Sequence, residues 1–229
     1  MKIKAIVTGA TGMVGEGVLH ECLLHDEVEQ VLVIGRRPGG TAHPKLREIV
    51  HSDFFNLSSL EKELAGYDAC FFCLGTSSVN VPKEEYYKTT YTLTMTFAET
   101  LCRLNPGMSF CYVSGAGTDS SEKGWLRWAR VKGKTENDLM KLPFKKVYNF
   151  RPAFMKPTEG LKHTLAGYKL IIWLYPLMHF LFPNYFFTLR EFGLAMIHAV
   201  TRGYGKNILE MPDLLKLSKP DDYQVKSEK

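Results

Sequence analysis

Three glycines near the N-terminus have the spacing of a loop that binds phosphate. The run Thr8-Gly9-Ala10-Thr11-Gly12-Met13-Val14-Gly15 follows a short apolar segment and precedes residues with helical spacing. Backbone N–H groups can approach a pyrophosphate only where no side chain blocks them, and the next helix adds free N–H groups and a positive dipole end. In this context the pattern predicts a dinucleotide site formed by Gly9, Thr11, Gly12, Met13, Val14 and Gly15.

The end of the second apolar run bears on which dinucleotide binds. An NAD site usually carries an acidic residue there, which holds the ribose hydroxyls, whereas this chain has Ile34-Gly35-Arg36-Arg37. Guanidinium groups donate charge-assisted hydrogen bonds to a 2′-phosphate. Arg36 and Arg37 therefore favour NADP over NAD as the cofactor; the alternative is that one or both side chains are simply solvated.

The remaining chemistry-bearing segments lie further along the chain and carry a family resemblance. They are Ser52-Asp53-Phe54, Leu74-Gly75-Thr76, Tyr112-Val113-Ser114-Gly115, Lys132 and Arg151-Pro152-Ala153. With the glycine loop, they resemble the short-chain dehydrogenase/reductase superfamily, in its atypical and extended branch of epimerase-like and NmrA-like proteins. The resemblance covers residues 3–209.

This resemblance implies roles for single residues. It implies that Asp53 and Phe54 contact the adenine, and that Leu74, Gly75 and Thr76 lie along the cofactor. It implies catalytic roles for Ser114 and Lys132, although both could simply hold the cofactor. It also implies that the turn at 151–153 helps to enclose the nicotinamide.

One residue departs from the pattern of the superfamily. Its reductases use Tyr-x-x-x-Lys, in which the tyrosine passes a proton to or from the substrate oxygen, but the residue four before Lys132 is Trp128. An indole N–H cannot act as an acid near neutral pH. Either another group supplies the proton, with Tyr86, Tyr87 and Tyr91 as candidates, or the usual reaction is largely absent. These three tyrosines lie near the start of the long helix expected after the fourth strand. The alternative for these tyrosines is that they pack on the sheet.

The elements that must position these residues alternate between strand and helix. The expected strands are 3–8, 31–34, 47–51, 68–74, 110–113, 146–150 and 207–210, and the expected helices are 13–25, 57–64, 83–104, 124–142 and 189–201. Continuous apolar strands that alternate with helices predict an α/β fold with a Rossmann-type doubly wound parallel sheet. We expect a single NAD(P)-binding domain over residues 1–229, in which residues 151–206 form a small, mainly helical cap on the substrate side.

Composition and charge exclude several other classes of protein. Hydrophobic residues make up 45% and charged residues 23% of the chain, which excludes a disordered chain or a disulfide scaffold. Residues 121–146 hold eight basic and three acidic residues, a difference equal to the whole net charge of +5. This segment suits an anionic ligand or a solvated helix face, and since no nucleic-acid motif accompanies it, we expect no nucleic-acid partner.

The cysteines and histidines give no pattern of a metal site. The motif Cys70-x-x-Cys73 lies inside an apolar run, and residues three apart on a strand point to opposite faces, so both thiols are expected in the core. The seven histidines do not cluster along the sequence. We therefore predict no metal.

The aromatic-rich segment 170–183 is too short to span a bilayer, and no stretch reaches the length of a spanning helix. It could line a pocket for an apolar small-molecule substrate, form a homodimer interface, touch a membrane surface or pack on its own sheet. The N-terminus lacks the apolar region of a signal peptide, which predicts a cytoplasmic protein.

Two functions remain open at this stage. The first is an NADP-dependent oxidoreductase of unknown substrate that lacks the usual catalytic tyrosine. The second is a regulatory or interaction protein that senses NADP(H) and catalyses little. The glycine loop supports both equally, Trp128 favours the second, and the retained Ser114 and Lys132 slightly favour the first.

Overall fold

Parallel strands form the centre of the fold in the computed structural model, which describes residues 2–163 and 186–220. The strands of the main sheet are β1 (Ile3–Thr8), β2 (Val28–Gly35), β3 (Leu46–Val50), β4 (Ala69–Phe72), β5 (Ser109–Val113), β6 (Lys146–Phe150) and β9 (Ile208–Leu209). A second sheet pairs β7 (Phe154–Lys156) with β8 (Phe186–Thr188). The helices are α1 (Met13–Leu24), α2 (Glu61–Leu64), α3 (Lys83–Tyr87), α4 (Leu93–Leu104), α5 (Arg127–Leu139), α6 (Leu189–Thr201) and α7 (Met211–Leu217).

The order of the seven strands is β3-β2-β1-β4-β5-β6-β9, and every neighbouring pair is parallel. From β1 the chain runs outward to β2 and β3, then crosses to β4 on the other side. The strand order therefore reverses between β1 and β4, which is the switch point where doubly wound folds bind their ligands. The predicted Rossmann-type fold is confirmed.

Helices cover both faces of the sheet, which is why its central strands are mostly apolar. Alternate strand residues divide between two cores: Val7 and Phe71 face α1, α6 and α7, whereas Ile6 and Phe72 face α4 and α5. Cys70 and Cys73 also divide in this way, since Cys70 packs in the second core and Cys73 against the first. Burial raises the pKa of both thiols, so they behave as core side chains.

Helix α6 was expected in the substrate-side cap, but it lies in the helical layer beside α1. A Cβ on Gly17 would come within 2.2 Å of Leu189, so the two helices can pack this closely only because residue 17 is glycine. The helix begins with a capping box between Thr188 and Glu191. The aromatic segment 170–183 lies outside the described residues.

Several helices differ in detail from the sequence prediction. The long helix expected over 83–104 contains a π-helical segment, Lys88–Thr92, between α3 and α4. Helix α5 begins at Arg127 rather than residue 124, because the Asp119 carboxylate accepts from the N–H of Gly124 and fixes it in a loop. Within 2–163 and 186–220, no helix is both long and apolar enough to cross a membrane.

Candidate functional site

A cleft of about 790 Å³ opens at the carboxyl ends of β1, β2, β3 and β4, at the switch point. Its volume is within the usual range for small-molecule sites. The structure brings together in it eight of the residues predicted to bind the cofactor, namely Gly9, Thr11, Arg36, Arg37, Phe54, Leu74, Gly75 and Thr76.

The glycine loop has the geometry of a cradle for a phosphate group. Gly9 has φ +71°, and a Cβ there would lie 2.7 Å from the carbonyl oxygen of Cys73. A Cβ on Gly15 would lie 2.2 Å from the carbonyl oxygen of Gly9, so α1 packs directly on the loop. Gly12 is the N-cap of α1, and no side chain caps the helix.

The first turn of α1 leaves backbone N–H groups without partners in the helix, and these point toward the loop. Met13 and Val14 begin the helix, and their side chains are half-buried against the core. Their side chains thus anchor the start of α1 in the core, and the free N–H groups of its first turn are left beside the glycine loop. The glycine loop and this helix end therefore fit a bound pyrophosphate.

Arg36 and Arg37 follow β2 directly and line the same cleft. Both side chains are exposed. Neither guanidinium is paired with a carboxylate of residues 2–163 or 186–220, so both charges are available to an anionic ligand.

Phe54 and Asp53 both lie beyond β3, but one side chain is buried and the other is exposed. Phe54 is 5% exposed, lines the cleft and stacks on Phe97. Asp53 is exposed, and its Oδ1 accepts from the N–H of Phe55 at 3.0 Å, which closes a local turn. Phe54 forms part of the cleft wall, whereas the contact of Asp53 with adenine stays a prediction.

The Lys132 ammonium group lies at the end of β5. Its Nζ donates to the carbonyl oxygens of Val113, at 3.1 Å, and Ser114, at 3.3 Å, and sits 5.2 Å from the ring centre of Tyr112. Burial lowers the pKa of Lys132 to about 8, and the nearby Glu136 carboxylate only partly opposes this. Contacts to neutral carbonyls replace only part of the lost hydration of the ammonium group.

Ser114 and Trp128 lie beside this lysine. The hydroxyls of Ser114 and Thr118 are 2.9 Å apart, and the Thr118 hydroxyl donates to the carbonyl of Gly115. The indole of Trp128 lies against the same loop, with ring atoms 3.7 to 3.9 Å from where Cβ atoms on Gly115 and Gly117 would be. The structure therefore brings the three residues together at the end of β5, although none of them is among the described residues that line the cleft.

A family model described as the NAD dependent epimerase/dehydratase family matches residues 5–122. The chain belongs to this family. The matched region contains most of β1 and all of β2 to β5, and therefore the glycine loop, the two arginines and Ser114. The chain is thus an NAD(P)-binding, epimerase-like member of the extended short-chain dehydrogenase/reductase group.

Relatives and solved structures agree with this placement. Protein FMP52, mitochondrial, of Eremothecium gossypii is 26% identical over 77% of this chain and 77% of its own length. Protein HTATIP2 of Rattus norvegicus is 26% identical over 70% of this chain and 69% of its own. The crystal structure of a glucuronic acid dehydrogenase from Chromohalobacter salexigens matches with a TM-score of 0.68 at 13% identity, over 100% of this chain and 90% of that one. At this identity the last match shows the fold alone.

Of the cleft residues that the sequence analysis missed, four lie away from the predicted strand ends and loops. They are Glu85, Thr89, Leu93 and His163. The first three recur every four residues, so a helix over 83–104 places them on one face, and this spacing could have identified them. No local pattern identifies His163, because it is far from the other cleft residues in sequence.

The tyrosines on the same helix do not share that face. Tyr86 is 1% exposed, and the Arg127 guanidinium lies 5.6 Å from its ring centre. The Tyr91 hydroxyl donates to Asp138 at 2.8 Å. Burial raises the pKa of both phenols, so neither is tuned toward neutrality as a proton donor would be.

Arg151 belongs to the turn 151–153, whose expected place beside the nicotinamide stays a prediction, and its guanidinium points into the protein. It forms an ion pair with Glu136, whose side chain is fully buried, and also donates to Glu210 at 3.0 Å and to Ser120. The pair joins α5 to the end of β6. Its function is structural.

Glu136→Gln should lower the free energy of unfolding by about 3 kcal/mol, since it leaves a buried guanidinium without its main counter-charge. Glu210→Gln is the matched control, because Glu210 pairs with the same guanidinium but is 49% exposed. It should cost less than about 1 kcal/mol. Urea unfolding measures both, and equal losses would show that the burial of Glu136 is unimportant.

One group of possible metal ligands occurs in the part of the chain that the structure describes. The ligand atoms of His25, Glu27 and His198 lie within 4.8 Å of one another. However, Arg202 donates to Nε2 of His198 at 3.0 Å, so Nδ1 donates to the Leu217 carbonyl at 2.7 Å. Both nitrogens of His198 are thus engaged beside a positive charge, and the absence of a metal stays our prediction.

Proposed function

We propose that this protein binds NADP(H) in preference to NAD(H) and acts as an oxidoreductase on a small molecule. The observation that carries the proposal is the pair Arg36 and Arg37, which follow β2 and line the same cleft as the glycine loop. Two guanidiniums at this place suit the 2′-phosphate of NADP, a group that NAD lacks. When bound, the cofactor supplies a hydride donor or acceptor at its nicotinamide.

Different segments of this chain would bind different parts of the cofactor. The glycine loop and the first turn of α1 hold the pyrophosphate, Phe54 and Asp53 the adenine, and Leu74, Gly75 and Thr76 lie along the cofactor. Lys132 and Ser114, at the end of β5, hold the nicotinamide ribose or the substrate oxygen. Their present partners are backbone carbonyls and the Thr118 hydroxyl, which a bound ligand would replace or share.

A second function, sensing of NADP(H) with little catalysis, is supported by Trp128. Its indole lies against the loop at Gly115 and Gly117 and offers no tunable proton. In sequence it stands four residues before Lys132, where the resemblance puts the tyrosine of the superfamily. Turnover separates the two functions: the oxidoreductase oxidises NADPH with a carbonyl substrate, whereas the sensor binds NADPH without consuming it. The expected apolar substrate, the homodimer and the membrane contact all depend on segment 170–183, and they stay predictions. The cytoplasmic location also stays a prediction.

Arg36→Ala together with Arg37→Ala should weaken NADP binding by about ten- to a hundredfold for each lost charge-assisted bond. Affinity for NAD should stay unchanged, because NAD has no 2′-phosphate. Calorimetric titration of both cofactors at fixed ionic strength measures the two effects. Arg47→Ala is the matched control, since Arg47 on β3 is paired with Glu63 and should not alter the preference.

Two results would overturn the proposal. One is equal affinity of the wild-type protein for NADP and NAD. The other is a preference for NADP that survives both substitutions, since the arginines would then not contact the 2′-phosphate.

A further inference from the structure

His163 reaches the cofactor cleft from a distant part of the chain. It lines the cleft together with Gly9, Ala10 and Thr11, although it lies after β7, far from the glycine loop in sequence. Since Gly12 caps α1, these neighbours place the imidazole near the helix end that would hold a pyrophosphate.

Glu16 ties His163 to that helix end. Its two carboxylate oxygens accept from the backbone N–H groups of Lys162, at 2.9 Å, and His163, at 2.8 Å. Glu16 lies in the first turn of α1, where its own N–H donates to the carbonyl of Gly12. The position of the imidazole is therefore fixed to the helix whose N-terminus faces the glycine loop.

The orientation of the ring follows from one contact. Nδ1 of His163 is buried and lies 3.1 Å from Oε2 of Glu16, in an electrostatic contact rather than an aligned hydrogen bond. The side chain is nevertheless 38% exposed. The surface that the ring presents to the cleft thus comes from its other atoms, of which Nε2 is the only polar one.

The charge of Glu16 requires a partner once an anion binds. A carboxylate in the first turn favours the helix itself, but it would repel a pyrophosphate at the same helix end. Two backbone N–H groups on this carboxylate partly offset its charge, and the imidazole adds to this only when both ring nitrogens carry a proton. A protonated imidazole would also offer Nε2–H to the ligand as a charge-assisted donor.

We infer that His163 contacts the pyrophosphate of the bound cofactor through Nε2, and that Glu16 is the positioning residue that holds it there. The inference rests on the proposed NADP(H) binding and adds to that site a residue from the segment after β7. Cofactor bound in the cleft would then also stabilise the hydrogen bonds that hold residues 162 and 163 to Glu16 on α1.

His163→Ala tests this with two probes, NADP and adenosine 2′-monophosphate. The second probe keeps the adenine and the 2′-phosphate but has no pyrophosphate. NADP should bind about ten- to a hundredfold more weakly to the variant, as expected for one charge-assisted bond. Adenosine 2′-monophosphate, measured by competition, should keep its affinity, which also shows that the variant is folded.

His20→Ala is the matched control. His20 lies on α1 beside a glutamate, is 39% exposed and is not among the described residues that line the cleft, so its loss should change neither affinity. Unchanged NADP affinity in His163→Ala, or an equal loss for both probes, would overturn the inference while leaving the proposed function in place. A wild-type protein that binds neither probe would instead overturn the proposed function, and the inference with it.

Discussion

Gly12→Asp should abolish dinucleotide binding while the protein stays folded. The substitution places a carboxylate at the N-cap of α1, where the pyrophosphate would lie. Two unit charges about 4 Å apart repel by about 4 kcal/mol at an effective dielectric constant of about 20, which is about a thousandfold in affinity. The blocked approach of the backbone adds to this loss.

The structure explains why this variant isolates binding from folding. A Cβ on Gly12 would meet only the carbonyl oxygen of Gly9, at 3.4 Å, and the residue has φ −111° and ψ 160°, which any residue adopts. Aspartate is moreover among the preferred N-cap residues, so α1 should be as stable as before or more so. Gly15→Ala would instead force a Cβ to 2.2 Å from a backbone oxygen and disturb the loop itself.

Calorimetry with NADP and thermal unfolding of the same samples give the two measurements. Gly12→Ser is the matched control, because it adds a side chain of similar capping ability without the charge, and it should retain part of the affinity. A Gly12→Asp protein that is folded and binds NADP as the wild type does would show that the glycine loop is not the pyrophosphate site.

Trp128→Tyr should raise the reduction of a small reactive carbonyl, such as methylglyoxal, by one or more orders of magnitude. General acid catalysis typically contributes about 10²–10⁴-fold, and this protein lacks the phenol that supplies it in the superfamily. The indole already lies against the loop that carries Gly115 and Gly117. A tyrosine there replaces a larger ring with a smaller one, so the new hydroxyl fits without displacing the backbone.

Lys132 makes this gain depend on pH. It follows residue 128 by one helical turn, so its charge should lower the pKa of the new phenol. Because burial holds the pKa of Lys132 at about 8, the lysine loses its charge as the pH rises past that value. The added activity should therefore decline above about pH 8, as the phenol becomes a weaker acid.

Steady-state oxidation of NADPH measures the effect, and cofactor affinity should stay nearly unchanged. Trp128→Phe is the matched control, since it gives the same reduction in size without a hydroxyl. If both variants gain equally, space rather than a proton is responsible. Robust wild-type reduction that disappears in Tyr86→Phe or Tyr91→Phe would place the acid elsewhere and contradict the prediction.

The sequence by itself determined the fold and the part of the site formed by strand ends. Alternation of apolar strands with helices is a local property, and parallel strands place all their carboxyl ends at one edge. The glycine loop was predictable for the same reason, because the close contact between Gly9 and Gly15 involves residues only one loop apart. The place of Arg36 and Arg37 in the site was predictable too, because both residues stand directly after β2.

Only the tertiary structure decided the contacts between distant segments. The ion pair of Arg151 with Glu136, the packing of α6 on α1 and the approach of His163 to Glu16 each join parts of the chain that no periodicity relates. Such pairings depend on how layers pack and on which buried charges must find a partner. The sequence shows that Arg151 lies in a predicted site segment, but not that its side chain pairs with the buried carboxylate of Glu136.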